Sequence, residues 1–301
     1  MAARNGAPTY RRVFTEANGL LLHHLEWGPP EAPPLVLLHG IRSHSYIWSR
    51  VAPYLAPPYR LLAVDLRGHG DSGWSDDGYG TPRYVDDFAA WVDAQGFGRF
   101  PLIGHSAGGR VALSYAVAHP ERVERLVIVD MGPEVGPARP FDPVLAARPQ
   151  RTFADVDEVV GVLRERYPAI GAGYLRRLAR WSVRPAEHGR LTWKWDKRVR
   201  GQLRAADEFR ADLRALHCPT LIVRGGEAAA LSAESAAEMQ ALVPTDCRIV
   251  VIPNTSHMLA EERPAVFATA VRAFLGGEGS GAAQRRRPMA RTEVATQAGV
   301  R

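Results

Sequence analysis

The sequence predicts an α/β fold: a mostly parallel eight-stranded sheet with helices on both faces, plus a helical insertion between the sixth and seventh strands. Three observations predict it. Strand-like apolar runs alternate with helix-like segments from residue 11 to residue 275. The later six runs are almost continuous Leu, Val and Ile, as in strands buried on both faces. About 80 residues without a strand-like run separate the sixth run from the seventh, too many for a plain loop in a compact domain.

Taken in order, RRVFTEANGLLLHHLEW reads as two strands joined at Asn18-Gly19, a dipeptide that suits a tight hairpin. After the Pro-rich break at 29–34 come PLVLLHG, YRLLAVDLRG, FPLIGHS and VERLVIVDMG, and later PTLIVRGG and RIVVIPNTSH. Within the long gap, VDEVVGVLRERY and AGYLRRLARWSV repeat apolar residues at three- and four-residue spacing, so 134–212 is expected to be a mainly helical cap. The core is then 11–133 with 213–275. Residues 276–301 are polar, Gly-rich and without periodicity, and are expected to be a disordered tail.

Charge and composition narrow the function classes. The net charge of +6 suggests an acidic partner, but the tail alone holds five Arg and two Glu, half of the excess. Neither a basic face interleaved with stacking aromatics nor a base-reading motif is present, so no nucleic-acid role is expected. No apolar run reaches the 18 or so residues that a membrane span needs, and no apolar segment near the start marks export. A cytoplasmic protein acting on a small molecule is expected. Cys218 and Cys247 precede apolar runs and read as free, buried thiols. There is no CxxC and no HExxH, so neither metal nor cofactor is expected.

Gly104-His105-Ser106-Ala107-Gly108 matches G-x-S-x-G between a strand-like run and a helix-like one. That context describes a nucleophile elbow, a sharp turn that lifts the serine clear of the sheet and needs small neighbours so that backbones can approach. The following helix points its N-terminal N–H groups at the reacting centre. A serine hydroxyl needs a base, and of the ten histidines His257 is best placed, between the last strand and a short link to a helix. His39, His44 and His69 lie in loops on the same sheet edge, and His39 and His69 read as structural. Asp65, with Arg67-Gly68-His69-Gly70-Asp71-Ser72, reads as a turn network.

Four ordered motifs, LLHGIRSHSYIW, VDLRGHGDSG, GHSAGG and PNTSHMLAEERP, resemble those of the α/β-hydrolase family over residues 11–275. The resemblance implies a Ser106–His257 pair and an oxyanion hole formed by the backbone N–H groups of Ile41 and Ala107. It also implies an acid in the loop after the seventh strand, but the sequence there is Arg224-Gly225-Gly226-Glu227-Ala228-Ala229-Ala230, and Ala229 stands where an aspartate is expected. Three readings stay open: Asp130 supplies the acid and is favoured, Glu227 supplies it, or the acid is missing.

Two functions follow. The leading one is hydrolysis of a carboxylic ester, or a related acyl or carbon–carbon bond, through an acyl-serine intermediate. Epoxide hydrolases and haloalkane dehalogenases of the family use an aspartate nucleophile, and Ser106 argues against both. The alternative is a non-hydrolytic lyase or cyclase, or a ligand-binding protein with an impaired triad. Arg42 is a candidate for pairing with a substrate carboxylate. Residues 151–210 hold 14 Arg or Lys against 8 Asp or Glu, a local +6 that would suit anionic substrates. Trp181, Trp193 and Trp195 are candidates to line an apolar pocket.

Overall fold

The computed structural model describes residues 9–56, 58–133, 150–199, 206–228 and 230–276. Strands β1 (Arg11–Ala17) and β2 (Leu20–Trp27) form the expected hairpin. Its two turn residues, Asn18 and Gly19, have φ of 48° and 73°, the positive pair that matches the twist of a tight hairpin. The sheet continues with β3 (Pro34–Leu38), β4 (Arg60–Val64), β5 (Phe100–His105) and β6 (Val123–Val129). Three short strands in the insertion, β7 (Thr152–Phe153), β8 (Val183–Pro185) and β9 (Leu191–Trp193), form a separate sheet. Strands β10 (Thr220–Gly225) and β11 (Cys247–Ile252) complete the main one. The main sheet has eight strands in the order β1-β2-β4-β3-β5-β6-β10-β11. From β4 to β11 every pairing is parallel.

The near-continuous apolar runs have a direct cause. Side chains alternate across a strand, so in β3 Val36 and Leu38 enter one core while Leu35 and Leu37 enter the other. Ile103, Val127 and Val129 share the second core, and Leu102, Leu126 and Ile128 the first. Helices cover both. On the first side lie α2 (Thr81–Gln95) with Phe88 and Trp91, and α3 (Ala107–Ala118) with Val111 and Tyr115. On the second lie α1 (Ala52–Leu55), the insertion helices α4 (Val156–Arg166) and α5 (Ala172–Ser182), and the C-terminal helix at Pro264–Leu275.

The described part of the insertion is mainly helical and adds a small sheet that the sequence reading did not include. Beside α4 and α5 it carries the antiparallel sheet β7-β9-β8, whose strands of two or three residues are too short to show a period. Its far end returns to the core: Lys194 pairs with Asp71 at 2.6 Å, the Tyr79 hydroxyl donates to Asp196 at 2.6 Å, and Trp181 stacks on Tyr46 at 4.8 Å. The expected boundary at residue 212 falls inside helix α6 (Ala206–Arg214), whose Phe209 and Leu213 belong to the first core. Cys218 is free and buried as expected, whereas Cys247, on the edge strand β11, is only partly buried. Much of the cap's first stretch, 134–149, and the tail beyond Gly276 lie outside the described residues. Among the described residues no helix is long and apolar enough to cross a membrane.

Candidate active site

Strand order reverses at β3, which has β4 on one side and β5 on the other. Loops leaving the carboxyl ends of β3 and β5 therefore diverge, opening the crevice where open α/β sheets place their chemistry. Ser106 follows β5 at φ 52° and ψ −123°, a conformation that L-residues rarely adopt and that costs about 1–3 kcal/mol when held. Packing holds it. A Cβ on Gly104 would lie 2.3 Å from the Gly108 carbonyl oxygen, and one on Gly108 would lie 2.5 Å from that of His39, so both flanks of the serine must be glycine. The Ser106 N–H donates to Val129 O at 2.9 Å and ties the turn to β6.

Asp130 follows β6 in a left-handed conformation, φ 46°, and is fully buried. Its N–H donates to Val223 O at 2.8 Å. Its Oδ2 accepts a hydrogen bond from His257 Nδ1 at 2.6 Å, and Gly225 N–H approaches Oδ1 at 3.4 Å. With Nδ1 carrying the proton toward the carboxylate, Nε2 is left as the basic nitrogen. Of the three readings for the acid, the bond from His257 goes to Asp130. Glu227 is exposed, its N–H donating to Thr255 O at 2.9 Å, and Ala229 lies outside the described residues.

Two supports of His257 escaped the sequence reading. His105, the second residue of the G-x-S-x-G motif, donates from Nε2 to the His257 carbonyl at 2.9 Å, and the two rings lie 4.6 Å apart. Burial pushes the His105 imidazole down to about 3, so it stays neutral and adds no charge beside the base. Glu262 grips the other side of the loop, accepting from Ser256 N–H at 2.7 Å and Ser256 Oγ at 2.5 Å. Both act on the loop's polar framework, and the only sequence signal was their place inside motifs read for other residues.

The loop after β3 closes the opposite wall. A Cβ on Gly40 would stand 3.1 Å from Ser106 Cβ, which sets Gly40-Ile41-Arg42 against the serine. Among the described residues, neither Ile41 N–H nor Ala107 N–H donates to another backbone or side-chain group. Two such donors beside a reacting carbonyl suit a developing oxyanion. Arg42 sits at φ 56° with its guanidinium over the Trp195 ring at 5.1 Å. Trp193 and Trp195 line a cavity of about 210 Å³ with Arg42, His44 and Met258, whereas Trp181 packs on Tyr46 instead.

His23, His39 and His69 serve structure. Buried Asp65 accepts from Ser45 N–H at 2.5 Å, Asp71 N–H at 2.9 Å and His23 Nδ1 at 2.7 Å, which is the expected turn network. His23, Asp65 and Asp71 lie close enough together to hold a cation, but Asp71 is already paired with Arg12 at 2.9 Å and Lys194 at 2.6 Å. His39 donates to Gly40 O at 2.7 Å and accepts from Leu66 N–H at 3.0 Å. His69 donates to Arg67 O at 2.8 Å.

Known proteins share this architecture and sequence. The sequence profile of the "Alpha/beta hydrolase family" matches residues 35–270. The 2-(acetamidomethylene)succinate hydrolase of Mesorhizobium japonicum is 30% identical over 250 residues, which span 81% of this chain and 88% of that one. An esterase of Mycobacterium tuberculosis is 27% identical over 261 residues, 83% of this chain and 85% of that one. The crystal structure of an E-2-(acetamidomethylene)succinate hydrolase superposes with a TM-score of 0.78 at 28% identity, covering 89% of this chain and 100% of that one. Profile, relatives and sheet order agree, and the chain belongs to the alpha/beta hydrolase family.

Proposed function

We propose that this hydrolase cleaves a carboxylic ester, or a closely related acyl bond, of a small molecule in the cytoplasm through an acyl-serine intermediate. His257 Nε2 takes the proton of Ser106 Oγ as the oxygen attacks the carbonyl carbon. The N–H groups of Ile41 and Ala107 hold the oxyanion, each worth on the order of 2.7–4 kcal/mol by deletion. Asp130 fixes the imidazole tautomer and stabilises the imidazolium, which then protonates the leaving alcohol. Water, deprotonated by His257, attacks the acyl carbon, and Ser106 departs with the proton. The insertion acts as a cap that shapes the acyl pocket.

One observation carries this reading: the buried Asp130 carboxylate bonded at 2.6 Å to the histidine whose loop adjoins the nucleophile elbow. The lyase, cyclase or ligand-binding alternative drew its support from the alanine at position 229, and a carboxylate bonded to His257 from the end of β6 weighs against it. The relatives named for 2-(acetamidomethylene)succinate hydrolysis and for esterase activity fit acyl chemistry.

Labelling with a fluorophosphonate, beside turnover of p-nitrophenyl esters of increasing chain length, tests it. Wild type is expected to label and to show a burst of p-nitrophenol. Ser106→Ala is expected to lose label and at least about 10³-fold in kcat. Undiminished labelling of Ser106→Ala, or retention of about a tenth of kcat, would sink the proposal.

A further inference from the structure

The cavity beside the proposed catalytic groups carries more charge than ester hydrolysis requires. Its wall comes from the loop after β3, from the insertion, and from Met258, the neighbour of His257. Among the described residues three arginines line it, Arg42, Arg151 and Arg166, and no carboxylate does. His44, also in the wall, is held at about 4 by burial and is therefore neutral near pH 7. Among the described residues the lining thus has one sign of charge, focused on about 210 Å³ of space.

Each of the three guanidinium groups lies over an aromatic ring: Arg42 over Trp195 at 5.1 Å, Arg151 over Phe153 at 4.9 Å, and Arg166 over Tyr167 at 5.3 Å. Stacking engages the flat face of a guanidinium, and the N–H donors that an anion would meet lie on its edge. Glu158 competes weakly, standing 3.6 Å from Arg151 with both side chains well exposed to water. Among the described residues no carboxylate lies within salt-bridge distance of Arg166.

We infer that this cavity recognises a carboxylate, and that the substrate is a small acyl compound whose acyl portion carries one, gripped by Arg42, Arg151 and Arg166 while its reacting carbonyl lies over Ser106. The inference rests on Ser106 being the acyl nucleophile. Arg42 follows the proposed oxyanion donor Ile41, and Met258 follows His257, so chain neighbours of two proposed catalytic groups stand in the cavity wall. The volume is below the roughly 300–1,000 Å³ of drug-sized pockets, which favours a short dicarboxylic half-ester over a long-chain lipid ester.

Kinetics on a matched pair of probes tests this: mono-p-nitrophenyl glutarate, with an anionic acyl group, and p-nitrophenyl valerate, its neutral counterpart. Wild type is expected to prefer the anionic ester by at least about tenfold in kcat/KM, with the preference shrinking as salt is added. The double variant Arg151→Gln/Arg166→Gln should cut that ratio at least about tenfold through KM, and Arg151→Lys/Arg166→Lys, which keeps the charge, should recover part of it. A wild-type ratio near one, or a ratio untouched by the Gln pair, overturns the inference. If neither ester is turned over, the nucleophile proposal fails by itself, and calorimetric titration of Ser106→Ala with glutarate still decides the anion site. Binding that weakens in the Gln pair supports it, and no binding overturns it. Tighter binding of inorganic phosphate than of glutarate overturns the carboxylate assignment.

Discussion

Asp130 combines a backbone constraint with an electrostatic one. Its φ of 46° belongs to the left-handed region, where Asn and Asp are tolerated better than other non-glycine residues, so Asp130→Asn should keep the turn. The amide nevertheless favours the wrong imidazole tautomer. Asp130→Asn is therefore expected to lower kcat by about 10⁴-fold with little change in melting temperature, whereas Glu227→Gln should cost less than about tenfold. If Ala229→Asp raises activity while Asp130→Asn does little, the acid has been misassigned. His105→Ala should lower kcat by about tenfold or more through a loosened His257 loop, with labelling of Ser106 slowed in parallel. Unchanged labelling would make His105 a packing residue only. Ser106 and His257 stood out as candidates because each sits inside a motif whose spacing is dictated by strand, turn and helix. The acid candidate was left open by sequence, because carboxylates at the ends of two neighbouring strands satisfy the same pattern, and the structure puts Asp130 at hydrogen-bond distance from His257. His105 and Glu262 stayed hidden because one grips a carbonyl and the other a short loop, contacts that leave no periodic trace.

Among the elements, the main strands were readable because burial on both faces writes long apolar runs, and the hairpin because Asn18-Gly19 meets its turn's demand for positive φ. The strands of the insertion were not readable, since two or three residues cannot display alternation. The contact between α3 and the end of β3 is a tight element-level constraint near the site. Gly108→Ala would place a methyl group 2.5 Å from His39 O and 2.7 Å from Leu38 O, both backbone atoms. Overpacking of this kind costs about 1–3 kcal/mol and should lower both melting temperature and activity. Gly161, in the exposed middle of α4, meets nothing within 4 Å. Gly161→Ala is expected to stabilise by about 0.4–1 kcal/mol, read from denaturant melts. A stabilised Gly108→Ala would show that the elbow's approach to β3 is not strict.

Core and insertion together share the second hydrophobic cluster, which runs from Leu35 and Val129 of the sheet to Leu163 and Leu178 of the insertion helices. Their seam also buries a carboxyl group. Glu261 is fully enclosed next to the Tyr174 hydroxyl of α5, at 3.3 Å, and Arg50 donates to its backbone carbonyl. Desolvation pushes the Glu261 carboxyl up to about 8; the Tyr174 hydroxyl and the Arg50 charge oppose that rise, and the Glu262 charge adds to it. The folded value exceeds the unfolded one of about 4.5, so the folded chain binds the proton more tightly. The resulting stability is full below about pH 4.5 and is lost progressively as pH rises toward about 8. Glu261→Gln keeps an acceptor for Tyr174 and removes the titration. Between about pH 5 and about pH 9 its melting temperature should therefore fall less than that of wild type, and limited proteolysis of the insertion should lose its rise at alkaline pH. Parallel melting curves for the two proteins would mean that Glu261 ionises without cost and that the seam is open to water.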